Sequence, residues 1–188
     1  MGDLAELLAV VDAVIGALGR HAVPYFITGS FASSVHGEFR ATNDIDIVAQ
    51  LDASKLESLM AELSTAFVAD LDQATEALER GTSFNLIHST TFLKVDIFPC
   101  ASEFDRVATE RALSLVIPGA SEPLRVASLE DILLAKLRWY RLGDESSDTQ
   151  RRDIAKLVEL NRDQLDLEYA RHWATTLGVD DLLVRVLA

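Results

Sequence analysis

Residues 44–48 read Asp-Ile-Asp-Ile-Val, an alternation of carboxylate and aliphatic side chains. That is the period of a β-strand, which sends successive side chains to opposite faces. Ile45 and Ile47 therefore share the buried side, and Asp44 and Asp46 share the other. Two like charges so placed repel each other unless a cation neutralises them. Mg²⁺ is a hard ion that takes carboxylate oxygens together with substrate phosphates, so the pair is a candidate metal site for a nucleoside triphosphate (NTP). Alone, an Asp-x-Asp pattern is a weak signal, because exposed strands often alternate in the same way.

Two further stretches sharpen it. Tyr25-Phe26-Ile27-Thr28 reads as a buried strand, opened by Pro24 and closed by Gly29-Ser30. If a helix starts there, Gly29 and Ser30 lie at its N-terminus, where backbone N–H groups and the helix dipole favour an anion. An ordinary turn with Ser30 as the capping residue is the plainer reading of the same pair. In Lys94-Val95-Asp96-Ile97-Phe98 the alternation recurs, putting Lys94 and Asp96 on one face and Val95 and Ile97 on the other. A third carboxylate on a neighbouring strand would complete a two-metal site, with ions ~3.5–4 Å apart.

The rest of the chain organises around these runs. Leu4, Leu7, Leu8, Val11, Val14, Ile15 and Leu18 make one helical stripe, stopping near Gly19. Residues 31–36 predict a short helix, and Ser54 with Glu57 a capping box ahead of Leu56, Leu59, Met60 and Leu63. A short strand is expected at 67–68, a few helical turns at 74–79, and a hairpin from 83–88 to 92–98. Beyond about residue 118 the pattern turns helical only: a helix capped by Ser128 with Asp131 and ended by Gly143, then helices near 154–160, 167–177 and 180–187. The expectation is an α/β domain over 1–118, a mixed β-sheet flanked by helices, followed by a small C-terminal helical bundle over 119–188.

Composition bounds the function. The chain has 188 residues, 49% of them hydrophobic, enough for a proper core. A net charge of -13 argues against broad binding of duplex nucleic acid, which needs a basic face. The cluster of Arg138, Arg141, Arg151, Arg152 and Lys156 is either a local basic site or a solvated helical surface. Asp3, Glu6 and Asp12 interrupt the apolar opening, no run reaches membrane-spanning length, and Cys100 is the sole cysteine. These features predict a soluble, cytoplasmic protein.

The ordered set Gly29-Ser30, Asp44-x-Asp46 and Asp96 resembles the nucleotidyltransferase superfamily, the group with the polymerase-beta-like fold. The resemblance covers about residues 24–98. It implies that Asp44, Asp46 and Asp96 are the catalytic and metal-binding residues, with two Mg²⁺ ions as cofactor. Gly29 and Ser30 would hold phosphate oxygens. Arg40-Ala41-Thr42-Asn43-Asp44-Ile45-Asp46 is similar, more narrowly, to abortive-infection type toxins and their uncharacterised relatives. In those, a lysine on a C-terminal helix and an Arg-Asp pair follow, matched by Lys136 and Arg152-Asp153. Lys136 would then neutralise the β- or γ-phosphate. Arg40 is expected either to touch the nucleotide or to pair with a nearby acid, and Asp153 either to bind the acceptor or to pair with Arg151 or Arg152. His36 reads as structural, Trp139 and Tyr140 as core in preference to stacking a base, and Cys100 as inert.

The resemblance thus implies Mg-dependent transfer of an NMP group from an NTP to a hydroxyl acceptor: a small molecule, a protein or a tRNA. The setting would be a toxin–antitoxin or defence system, with a cognate toxin or antitoxin as partner. The alternative is a catalytically silent binding module with the same fold, acting as a toxin–antitoxin partner.

Overall fold

The computed structural model describes residues 4–37 and 44–188. Arg40, Thr42 and Asn43 lie outside the described residues. The chain begins with α1 (Leu4–Arg20), β1 (Tyr25–Thr28), α2 (Gly29–His36), β2 (Asp44–Ala49), α3 (Ala53–Leu63) and β3 (Phe67–Val68). Then come α4 (Leu71–Arg80), β4 (Phe84–His88), β5 (Lys94–Pro99), α5 (Glu103–Arg111), β6 (Leu113–Leu115) and β7 (Leu124–Val126). Four helices end the chain: α6 (Leu129–Leu142), α7 (Asp148–Asn161), α8 (Leu167–Leu177) and α9 (Asp180–Leu187).

The described strands form a seven-stranded sheet in the order β3-β4-β5-β2-β1-β7-β6. It is mixed: β2 runs parallel to β5 and β1 to β7, while the other neighbours are antiparallel. The α/β architecture with a mixed sheet and flanking helices is the one expected.

The sheet's register follows from hydrophobic burial. Ile45, Ile47, Val95 and Leu86 are at most 2% exposed, as is Ile97. Fully burying each such side chain contributes roughly 1.5–3 kcal/mol. Slipping β2 by one residue would turn both isoleucines outward and both aspartates inward, so the pairing is strongly fixed. Residues 4–31 and 44–127 form one compact unit around this sheet. Residues 32–37 and 128–188 form a second, helical one. Within the second unit, Asn161 Nδ2 donates to the His36 backbone oxygen at 2.8 Å, tying the end of α2 to α7.

Several local readings are corrected. The N-cap of α3 is Asp52, which accepts from Lys55 N, while Ser54 donates to the Asp52 carboxylate instead of capping the helix itself. The helix α5 was not expected, although Ser102 and Asp105 form a capping box at its start. The chain beyond residue 118 is not helical only, because β7 pairs with both β1 and β6. Trp139 is 53% exposed, so it is not a core residue despite its helical spacing.

No described helix is long and apolar enough to cross a membrane.

Candidate active site

The strand β1 ends at Thr28 and the chain turns at once into α2, whose first residue, Gly29, has φ +65°. That left-handed conformation suits glycine and strains residues with a Cβ. Space makes the same demand. A Cβ on Gly29 would lie 1.8 Å from Asp46 Oδ2 and 2.6 Å from its Cγ. The turn and the second aspartate of the Asp-x-Asp pair are therefore packed against each other.

The third aspartate lies in the same row of the sheet. Asp46 is the Cα partner of Thr28 on β1 and of Asp96 on β5, and Asp96 is in turn the partner of Asn85 on β4. Thr28, Asp46, Asp96 and Asn85 thus form one polar row across four strands, with neighbouring strands ~4.8 Å apart. The adjacent row holds Asp44, Lys94 and Ile87. Because alternation puts Ile45, Ile47, Val95 and Ile97 on the buried face, Asp44, Asp46 and Asp96 share the opposite one.

Lys94 brings a cation to these acids. Its Nζ lies 2.7 Å from Asp96 Oδ2, with the lysine side chain 41% exposed and the aspartate 18%. The hydrogen bond that the Lys94 ammonium donates to Asp96 pushes its pKa above the ordinary range; partial burial works against this, and the charges of Asp96, Asp44 and Asp46 reinforce it. Among the described residues, no three His, Cys, Asp or Glu side chains are gathered into a cage for one ion. The donor set nonetheless suits a hard divalent cation: three carboxylates from two adjacent strands on one face, beside a turn of backbone N–H groups.

Other expected residues are placed within their own unit. Lys136 on α6 lies 3.5 Å from Asp153 Oδ2 on α7. Asp153 is therefore joined to Lys136, while Arg151 pairs with Asp148 at 3.2 Å. Arg141 Nη2 donates to both oxygens of Asp181, at 2.6 and 2.7 Å, and Arg185 meets Glu145 and Asp181. Carboxylates of the same unit thus pair with Arg141 and Arg151 of the basic cluster. Burial pushes the Cys100 thiol up, opposite to what a nucleophile requires.

Sequence reasoning missed two members of the polar row, Thr28 and Asn85. Of these, Asn85 was readable in principle. Asn85 alternates with the buried Phe84 and Leu86, the signal used for Asp44 and Asp46. The ion pair between Lys94 and Asp96 was also missed, although their placement on one face was expected.

No protein-family model and no curated protein sequence matches the chain. Solved structures match it in fold. The crystal structure of ANT(2'')-Ia in complex with adenylyl-2''-tobramycin aligns with a TM-score of 0.56 and 16% identity, covering 92% of this chain and 97% of that one. The solution structure of the same antibiotic-resistance factor gives 0.55 and 15%, covering 91% and 92%. An antigenic nucleotidyltransferase-like protein from Paracoccidioides brasiliensis gives 0.55 and 21%, covering 97% and 92%. At these identities the likeness establishes the architecture, and the chain has the nucleotidyltransferase fold.

Proposed function

We propose that the chain is a metal-dependent nucleotidyltransferase that moves an NMP group from an NTP to a hydroxyl acceptor. The observation that carries this reading is the shared face of Asp44, Asp46 and Asp96, with Asp46 packed on the Gly29 turn. Three carboxylates on one face beside that turn match what binding a metal–triphosphate complex requires. The ANT(2'')-Ia complex holds an adenylylated antibiotic. By analogy of fold, the acceptor class includes small hydroxylated molecules alongside proteins and tRNA ends.

In this reading Asp44, Asp46 and Asp96 hold two Mg²⁺ ions. Bound Mg²⁺ neutralises phosphate charge and lowers the pKa of an attacking hydroxyl. The residues do the remainder. Gly29 and Ser30 direct donors from the start of α2 toward phosphate oxygens. Asp96 accepts the proton of the acceptor hydroxyl. Catalysis rests chiefly on positioning and preorganised charge. The phosphate role of Lys136 and the nucleotide contact of Arg40 rest on the sequence pattern alone; for Lys136 the test is whether Lys136→Ala raises KM for the nucleotide.

The toxin–antitoxin setting belongs to the same proposal and rests on the narrower likeness around residues 40–46. The division into domains at 118/119 is likewise a proposal, tested by whether limited proteolysis cuts the chain there or only after β7, where the first compact unit ends.

Incubation with each of four α-labelled NTPs and Mg²⁺, with candidate acceptors, tests the activity. Label transferred to an acceptor, with pyrophosphate released, supports it. No transfer, together with no thermal shift from Mg-NTP, favours the silent binding module.

A further inference from the structure

Three carboxylates on adjacent positions of one sheet face need a positive charge whether or not metal is bound. The chain carries that charge itself. Lys94 is the Cα partner of Asp44 and stands two residues before Asp96, so all belong to one face. Its Nζ is 2.7 Å from Asp96 Oδ2. The ammonium is a compact charge on a flexible stem, and its 41% exposure leaves it a short path into water. Asp96, at 18% exposed, has less freedom to turn away.

We propose that Lys94 is a tethered counter-ion that competes with a divalent cation for Asp96, so that the Lys94 ammonium must leave Asp96 before the ion is held. The proposal rests on the reading of Asp44, Asp46 and Asp96 as the metal site. It has a thermodynamic consequence: the affinity for the ion is reduced by the free energy of the internal pair. Removing the ammonium should tighten divalent binding, whereas mutating a genuine ligand should weaken it. These opposite signs separate a competitor from a helper. A lysine that merely stabilised the strand would leave ion affinity unmoved.

The test is a Mn²⁺ titration of the full chain without nucleotide, read by electron paramagnetic resonance of the unbound ion. It compares wild type with Lys94→Met, Lys94→Arg and Asp46→Asn. The pair is partly exposed, so its loss in Lys94→Met should tighten Mn²⁺ binding roughly two- to fivefold. Lys94→Arg keeps the charge and can grip Asp96 with two N–H donors, so it should bind Mn²⁺ no more tightly than wild type. Should Lys94→Met fail to fold, Lys94→Arg carries the test, and tighter binding by it overturns the proposal. Wild-type binding that Lys94→Met leaves equal or weaker overturns the role of Lys94 alone. Absence of Mn²⁺ binding in both wild type and Lys94→Met, or wild-type binding that Asp46→Asn leaves intact, overturns the metal-site reading and the proposal together.

Discussion

Gly29 and Asp46 lie so close that a side chain on the glycine would overlap the aspartate's carboxylate, at 1.8 Å from Oδ2. This contact joins two motifs that residues 31–43 separate in the chain, and makes them one feature in space. The Gly29 turn and the acidic strand cannot drift apart without breaking it.

Gly29→Ala should therefore be costly on two counts. The left-handed backbone and the displaced carboxylate together cost roughly 2–4 kcal/mol, a drop in Tm of roughly 5–12 °C for a chain of this size. Because the clash is with the Asp46 side chain, Asp46→Ala in the same chain should recover part of the loss. Differential scanning calorimetry of the two single variants and the double variant checks this. Additive losses would show that Gly29 does not act on Asp46.

Asp44→Asn or Asp46→Asn should lower nucleotidyl transfer by roughly 10²-fold or more, since each removes charge aimed at the reacting centre. Neither should unfold the protein. Relieving repulsion within the acidic face makes the apo fold neutral to slightly more stable. Thermal melts beside the transfer assay check both parts, and a large fall in Tm would make the acids structural.

In the helical unit, Asp131 is 2% exposed and accepts from Ser128 Oγ at 2.8 Å and from the Tyr169 hydroxyl at 2.7 Å. Tyr169→Phe removes one donor from a buried carboxylate and should cost roughly 1–3 kcal/mol by urea denaturation. A loss below measurement error would show that the hydroxyl contributes nothing to holding α8 on α6.

Glu62 accepts from Arg20 Nε at 2.7 Å and lies 2.9 Å from His21 Nε2. Arg20 first, then His21, hold its carboxyl below the ordinary value of 4.5. A depressed folded-state pKa stabilises the protein above the unfolded value, and that stabilisation is lost as pH falls through the folded one. Glu62→Gln should therefore flatten the decline of Tm below about pH 4.5 and leave its shape near neutrality unchanged. An acid limb identical to wild type would exclude Glu62 as a contributor.

Legibility in the sequence depended on the range of the signal. The period-two runs at Asp44–Val48 and Lys94–Phe98 are local, and burial of Ile45, Ile47, Val95 and Ile97 enforces them, so strands and faces could both be read. Register is set by partners distant in the chain. The row joining Thr28, Asp46, Asp96 and Asn85 appears only when four strands align. The strand β7 spans three residues, too short to show a period, and it is a strand because β1 and β6 flank it. Trp139 follows helical spacing on α6 yet is exposed, since periodicity marks a face without saying how far the partner extends.

The central claim, that the Asp44, Asp46 and Asp96 face holds a metal–nucleotide complex, meets its most direct test in calorimetric titration of a non-hydrolysable NTP into the full chain, with and without Mg²⁺. Saturable binding that requires Mg²⁺ and disappears in both Asp46→Asn and Asp96→Asn is the result predicted. No binding, or binding that survives those substitutions unchanged, would contradict it.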